Sequence, residues 1–472
     1  MKGQPESLLA RQDMNSNYPV DKGVICDEKK SLIYRRIKFA RVLKGVAVFI
    51  LVLLPFQKFP ETVISGGKDQ VAIPLPIKMF GQIDEASFLF FTLVLVSFLL
   101  LNPRNYRLNN YPFFKWIISF LFCGILWVFV NNTGSMQGFL GIYGYLKNVA
   151  VIILFAWLSF DINDFRKCVS ATILVAVVLS FGGIIGEILA LGFNLGINIL
   201  VDDTQRFGLY RVISFTGNGN WNYIGIYGAL AFFLVYAKNK QKFYYSKLTL
   251  ILILVLLSLS RQAWICFILM FLAIVKINKK IVCIMTPLIV CASIAVIVYW
   301  GGITSSANMS GSLDESRYFR YFTFLQAIEI INDHPFSGIG PGMFGGVASV
   351  IFESPYYDKW PKSFKEQVYQ QKGLDQFWVG LFADMGIIGG ILFVAIFVSI
   401  FLVLRKASRF YKRIDNKEME IFGKTFYVFI FCIFIMGLAG GINCAFLTFT
   451  YFSLSGIYIS IYNKNRKEEY FG

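Results

Sequence analysis

Residues 248–277, "LTLILILVLLSLSRQAWICFILMFLAIVKI", hold one charge, Arg261, before Lys276. As a single helix this stretch would run roughly 45 Å at 1.5 Å per residue. The hydrocarbon core of a bilayer is only about 30 Å thick. One helix would also leave Arg261 at mid-depth, where an unpaired charge is costly. Two spans with Arg261 at the turn between them remove both difficulties. Comparable apolar runs recur along the chain, and a spanning helix needs about 20 such residues. Candidate spans lie near 39–56, 86–101, 113–130, 146–160, 168–193, 221–237, 243–259, 262–276, 281–300, 374–404, 421–441 and 443–463, about twelve in all. The fold class expected is therefore an all-α polytopic membrane protein with one large helical external loop.

Composition agrees, with 56% hydrophobic and 15% charged residues. A soluble domain carries nearly twice that share of charge. The net charge of +17 would suit nucleic acid if it were gathered in one patch. Instead it follows the spans. With the N-terminus inside, the basic groups fall on successive cytoplasmic segments: Lys29 to Arg41, Arg104 and Arg107, Arg166 and Lys167, Lys238 to Lys247, Lys276 to Lys280, Arg405 to Arg413, and Lys464 to Lys467. The external loops 131–145 and 441–443 have no basic residue. This is the positive-inside pattern. It depends on splitting 248–277 into two spans, and it turns the basic charge toward anionic lipid rather than nucleic acid. No signal peptide is expected ahead of the first span. The eight cysteines lie mostly inside apolar runs and form no CxxC pair, so they read as small buried apolar residues. No metal cluster and no cofactor is expected.

The expected organisation is a cytoplasmic tail, 1–38; nine spans within 39–300; an external loop, 301–373; three spans within 374–463; and a second cytoplasmic tail, 464–472. Three external segments carry chemistry. The first, "DDTQRFGLYRVISFTGNGNWNY", holds Arg206, Arg211, Asn218, Asn220 and Asn222. The second is Arg261 in "SLSRQAW". The third is the loop itself. Its "ESRYFRYFTFLQAIEIIN" has helical spacing, with Arg317 and Arg320 three apart and Phe324, Ile328 and Ile331 on one apolar face. The only histidine in the chain, His334, follows, ahead of Pro335 and the turn sequence "SGIGPG". "DQFWVGLFADMGIIGG" then enters the next span with Asp375 and Gln376 at its mouth.

Arg206, Arg211, Arg261, Arg317 and Arg320 thus gather where lysine is rare. Arginine suits bidentate binding of phosphate oxygens. A lipid-linked diphosphate, with its tail in the bilayer and its charge at the surface, is the natural ligand. The competing readings are interfacial snorkelling and ion pairing with Asp202, Asp314 or Glu315. Tyr356, Tyr357 and Trp360 are candidates for stacking on sugar rings, against ordinary packing within the loop.

"SLSRQAW", "RYFRYFTFLQAIEIINDHPFSGIGPGMF" and "DQFWVGLFADMGIIGG" together resemble the O-antigen ligase/polymerase superfamily of bacterial surface-polysaccharide assembly, over about 210–400. The resemblance implies a metal-independent glycosyltransferase of the GT-C type in the inner membrane. Its substrate would be an undecaprenyl-diphosphate-linked oligosaccharide at the periplasmic face. It makes Arg261 and Arg211 diphosphate ligands. From their place on the external segments, Arg206, Arg317, Arg320, Asn220, Asn222, His334 and Gln376 are candidates for further substrate contacts. Ligases of the family carry a histidine where this chain has Asp375. That departure favours a polymerase, with Asp375 as the group that orients or deprotonates the acceptor hydroxyl. A ligase acting on lipid A core is the nearest alternative. A flippase for lipid-linked sugars is the alternative of another class, although no repeat between the two halves stands out. Membrane lipid and a chain-length regulator are candidate partners. On this reading His334 belongs to the frame around the chemistry.

Overall fold

A computed structural model describes residues 42–65, 74–80, 82–83, 85–90, 92–93, 111–158, 160–206, 208–216, 221–238, 242–275, 312–371, 373–374, 376–439 and 445–471. Within helices and strands, the side chains of Arg206, Asn222, Arg317 and Arg320 are outside that description, as are Asn218, Asn220 and Asp375 altogether. The expected span 281–300 and the tail 1–38 also lie outside the described residues. The chain divides into two units, Met1–Val46 and Ala47–Gly472; all that follows concerns the second.

Among the described residues the architecture is helical, with one two-stranded antiparallel hairpin. Six helices are long and apolar enough to cross a membrane, counting Val42–Ser65, which begins in the first unit. The other five are Pro112–Val130, Ser135–Trp157, Ile162–Phe193, Phe377–Arg413 and Lys417–Gly437. Three shorter apolar helices accompany them: Tyr223–Ala237, Tyr244–Leu257 and Arg261–Ile274. The chain is a membrane protein.

The break expected at Arg261 is present. Tyr244–Leu257 ends at Ser258, and Ser260 caps the next helix by accepting from the Ala263 amide at 3.3 Å. Leu259 turns the chain between them with φ +46°. Arg261 is therefore the first residue of a helix and is exposed.

The centre of the bundle is the last helix, Ala445–Phe471. Nearly every residue from Phe446 to Tyr462 is buried, as expected of a helix surrounded on all sides. Its polar groups turn to neighbouring backbones. Tyr451 donates to the Phe426 carbonyl at 2.7 Å and Tyr458 to the Met419 carbonyl at 2.9 Å. Its composition is polar, with serines and threonines among the aromatics, and neighbouring protein encloses it.

Chain direction separates two ends. Ser135–Trp157 runs from one end and Ile162–Phe193 returns to it, so the Asn131–Gly134 turn, the hairpin after Phe193 and the Ser258–Ser260 turn share that end. The opposite end carries the Arg166–Glu418 ion pair at 2.6 Å and the Lys238–Ser170 hydrogen bond at 2.8 Å.

Two expectations need correction. Residues 135–145, read from sequence as external loop, are helix. Their glycines and Gln137 lower the hydropathy but serve close packing, as described below. The faces of the loop helix Ser312–Asp333 are also reversed. Phe324 and Ile328 share its exposed side, while Phe319, Thr323, Ala327 and Ile330 are buried. The buried side meets a core of Phe344, Tyr357, Trp360 and Phe364, so Tyr357 and Trp360 are packing residues rather than a sugar platform.

Candidate functional site

The helix Phe377–Arg413 is broken at Gly386, whose φ of +64° and ψ of −173° suit only glycine. A break frees backbone groups that cannot be left bare in a membrane. The turn after His334 takes them up one by one. The Ile387 amide, which would bond the Ala383 carbonyl in an unbroken helix, donates to the Pro335 carbonyl at 2.9 Å. The Ala383 carbonyl accepts from the Ile339 amide at 3.0 Å, and the Asp384 carbonyl accepts from the Gly340 amide at 3.0 Å.

The Asp384 side chain completes the joint. Its carboxylate is fully buried and accepts from the Gly342 amide at 2.9 Å, the Phe344 amide at 2.6 Å and the Tyr145 hydroxyl at 2.8 Å. Gln137 donates to the Gly342 carbonyl at 2.9 Å from the neighbouring helix. That helix approaches closely because Gly141 has no side chain: a Cβ there would sit 2.6 Å from Gly342 Cα. "HPFSGIGPGMF" and "ADMGIIGG" are therefore two halves of one structure.

His334 enters through its backbone. Its amide donates to the Ile330 carbonyl at 2.8 Å and its carbonyl accepts from the Gly338 amide at 2.9 Å. The side chain is exposed.

The hairpin pairs Val201–Arg206 with Leu209–Val212, in register Val201 to Val212 and Gln205 to Tyr210. Glu187, on the helix below, accepts from the Tyr210 amide at 2.9 Å and fixes the hairpin's seat. Arg211 is buried, with 7% of its surface exposed, and stands 3.9 Å from the Asp202 carboxylate. Burial pushes its pKa down, Asp202 pushes it up, and the charge of Arg261 pushes it down again. The structure thus brings Arg211 and Arg261 within each other's field at the end of the bundle that also holds the Pro335–Phe344 turn. Gln376 precedes the broken helix, and its side-chain carbonyl accepts from the Thr323 hydroxyl at 2.9 Å. Leu374 is tied to the same turn, its amide donating to the Gly345 carbonyl at 2.8 Å. Arg206 lies on the first hairpin strand, and Arg317 and Arg320 lie in the first turns of the loop helix.

Sequence reading passed over Asp384, Tyr145 and an ion pair between Glu85 and Lys147. The signal was present, since a carboxylate or lysine within an apolar span marks a special site. It was outweighed by Asp375, which sits in the same quoted segment. Among the described residues no group of histidine, cysteine and carboxylate side chains is arranged to hold a metal.

The fold and this joint define a polytopic helical membrane protein with an arginine-bearing surface site. Residues 247–394 match the O-antigen ligase family, a likeness that agrees with the resemblance carried by the sequence motifs. The matched stretch includes Arg261, the whole His334–Phe344 turn and Asp384. A search of curated proteins finds none that matches the chain.

Proposed function

We propose that this protein is a surface-polysaccharide polymerase of the GT-C type in the bacterial inner membrane. It transfers a growing glycan from undecaprenyl diphosphate to a new lipid-linked repeat unit at the periplasmic face. The observation that carries the reading is the pairing of buried Arg211 with Arg261 at one end of the bundle. Asp202 offsets one of the two positive charges, the charge that is left suits an anion, and the family match makes a lipid diphosphate the fitting one.

In the reaction, the acceptor hydroxyl attacks the anomeric carbon as the bond from that carbon to the diphosphate oxygen breaks. The leaving diphosphate takes the electron pair, and the arginines stabilise its growing charge. The hydroxyl proton passes to a base, for which Asp375 is the candidate. Aspartate rather than histidine at that position favours polymerase over ligase.

Purified full-length protein in nanodiscs, supplied with lipid-linked repeat units, should produce a ladder of longer lipid-linked glycans. Arg261→Ala should give none at equal protein level, and Asp375→Asn should slow the ladder sharply. A normal ladder from Arg261→Ala would overturn the diphosphate assignment. Single transfer to lipid A core without a ladder would make the protein a ligase, and translocation without bond formation a flippase.

A further inference from the structure

Beside the joint lies a cavity of about 300 Å³. Its polar wall is Glu85, Tyr143 and Lys147, and its apolar wall is Val347, Ala348 and Ile351. Lys147 and Tyr143 both bond the Glu85 carboxylate. We propose that this cavity is a sugar subsite that takes one neutral, hydroxyl-rich ring of the glycan. The proposal rests on the glycan-transfer reading above and adds a second site to it.

Four observations carry it. First, the volume is at the small end of ligand pockets, roughly 300–1,000 Å³, which suits one ring rather than a lipid or a long chain. Second, the walls match the two aspects of a sugar. Glu85 and its partners meet hydroxyl groups, and the aliphatic wall meets the C–H face. Third, the cavity holds no unbalanced positive charge. Glu85 already neutralises Lys147, so the cavity offers no net attraction to a diphosphate, in contrast to the Arg211 and Arg261 site.

Fourth, the ion pair sits partway along a candidate span. Lys147 lies twelve residues into Ser135–Trp157, about 18 Å along the axis. Charges within a span are expensive and mark substrate paths. Yet the Glu85 side chain keeps 42% of its surface exposed, as a group facing an open cavity would. Asp384 also lines the cavity, but its oxygens are taken by Gly342, Phe344 and Tyr145. It is fully buried and holds the wall, whereas Glu85, although bonded by Lys147 and Tyr143, keeps an exposed side that can meet a ligand.

Gly144 provides a clean test. It lines the cavity, and a Cβ there meets nothing within 4 Å, so the Gly144→Leu side chain starts into open space and fills it. Saturation-transfer NMR would be recorded on full-length protein in nanodiscs with methyl glycosides of glucose, galactose, N-acetylglucosamine and rhamnose. At least one glycoside should give transfer with the native protein. Gly144→Leu should abolish it, and Glu85→Gln should weaken binding by about tenfold or more, the loss of hydrogen bonds to a charged acceptor. Arg261→Ala should leave it unchanged. No transfer to any glycoside, or native transfer in Gly144→Leu, would overturn the subsite. Undecaprenyl diphosphate binding, measured on the same proteins, separates the two sites. Loss in Arg261→Ala but not in Gly144→Leu upholds the subsite's independence, and equal loss in both overturns it.

Discussion

A methyl group added at Gly141 would fall on the backbone of the turn it packs against, 2.8 Å from the Pro341 carbonyl carbon and closer still to Gly342. Backbone on both sides cannot yield cheaply. Gly141→Ala should destabilise by roughly 1–3 kcal/mol, the usual cost of overpacking, seen as a lower unfolding temperature in detergent. Asp384→Ala should be worse, at about 1–3 kcal/mol for each of the buried donors left without an acceptor. Tyr145→Phe removes one of its three partners and should cost only about 1 kcal/mol. Equal melting temperatures for Asp384→Ala and Tyr145→Phe would show that the carboxylate does not organise the turn. His334→Ala should melt and act like the native protein, because only its backbone is engaged. At this scale the sequence was partly legible. The lone histidine could be set aside once Pro335 and the glycines were seen to form a turn. Asp384 was passed over because its role depends on partners 40 and 239 residues away.

The element that matters most is the pair formed by the broken helix and the turn that repairs it. Hydropathy shows a span near 374–404 but cannot show that its hydrogen-bond ladder is cut at Gly386. The ladder is completed by amides and carbonyls between Pro335 and Gly340, so neither half is stable without the other. Gly386→Ala tests this. Its Cβ would meet the Phe336 carbonyl carbon at 2.5 Å, and the φ of +64° is unfavourable for any other residue. The variant should accumulate poorly and expose the turn to protease. Normal protease resistance would contradict the joint. Helix extents were legible where apolar residues dominate, as at Pro112–Val130. They were misread at 135–145, where glycines and Gln137 lower hydropathy; at Gly141 a neighbouring backbone takes the side-chain space, and Gln137 turns to the Gly342 carbonyl.

For the whole molecule, alternating basic segments separate the two ends in the sequence itself. The structure places Arg166 and Lys238 at one end and Arg211 with Arg261 at the other. The same alternation puts Arg211 and Arg261 on one face, and the field of Arg261 felt at Arg211 is the structural counterpart of that nearness. It depends on a hairpin seated by Glu187 and on the turn at Ser258–Ser260. The function proposed here depends on that nearness. Its most direct measurement is undecaprenyl diphosphate binding to the full-length protein in nanodiscs, compared with Arg211→Ala and Arg261→Ala. Each variant should bind about tenfold or more weakly, as expected for loss of a charged hydrogen-bond donor. Affinity unchanged in both variants would contradict the account.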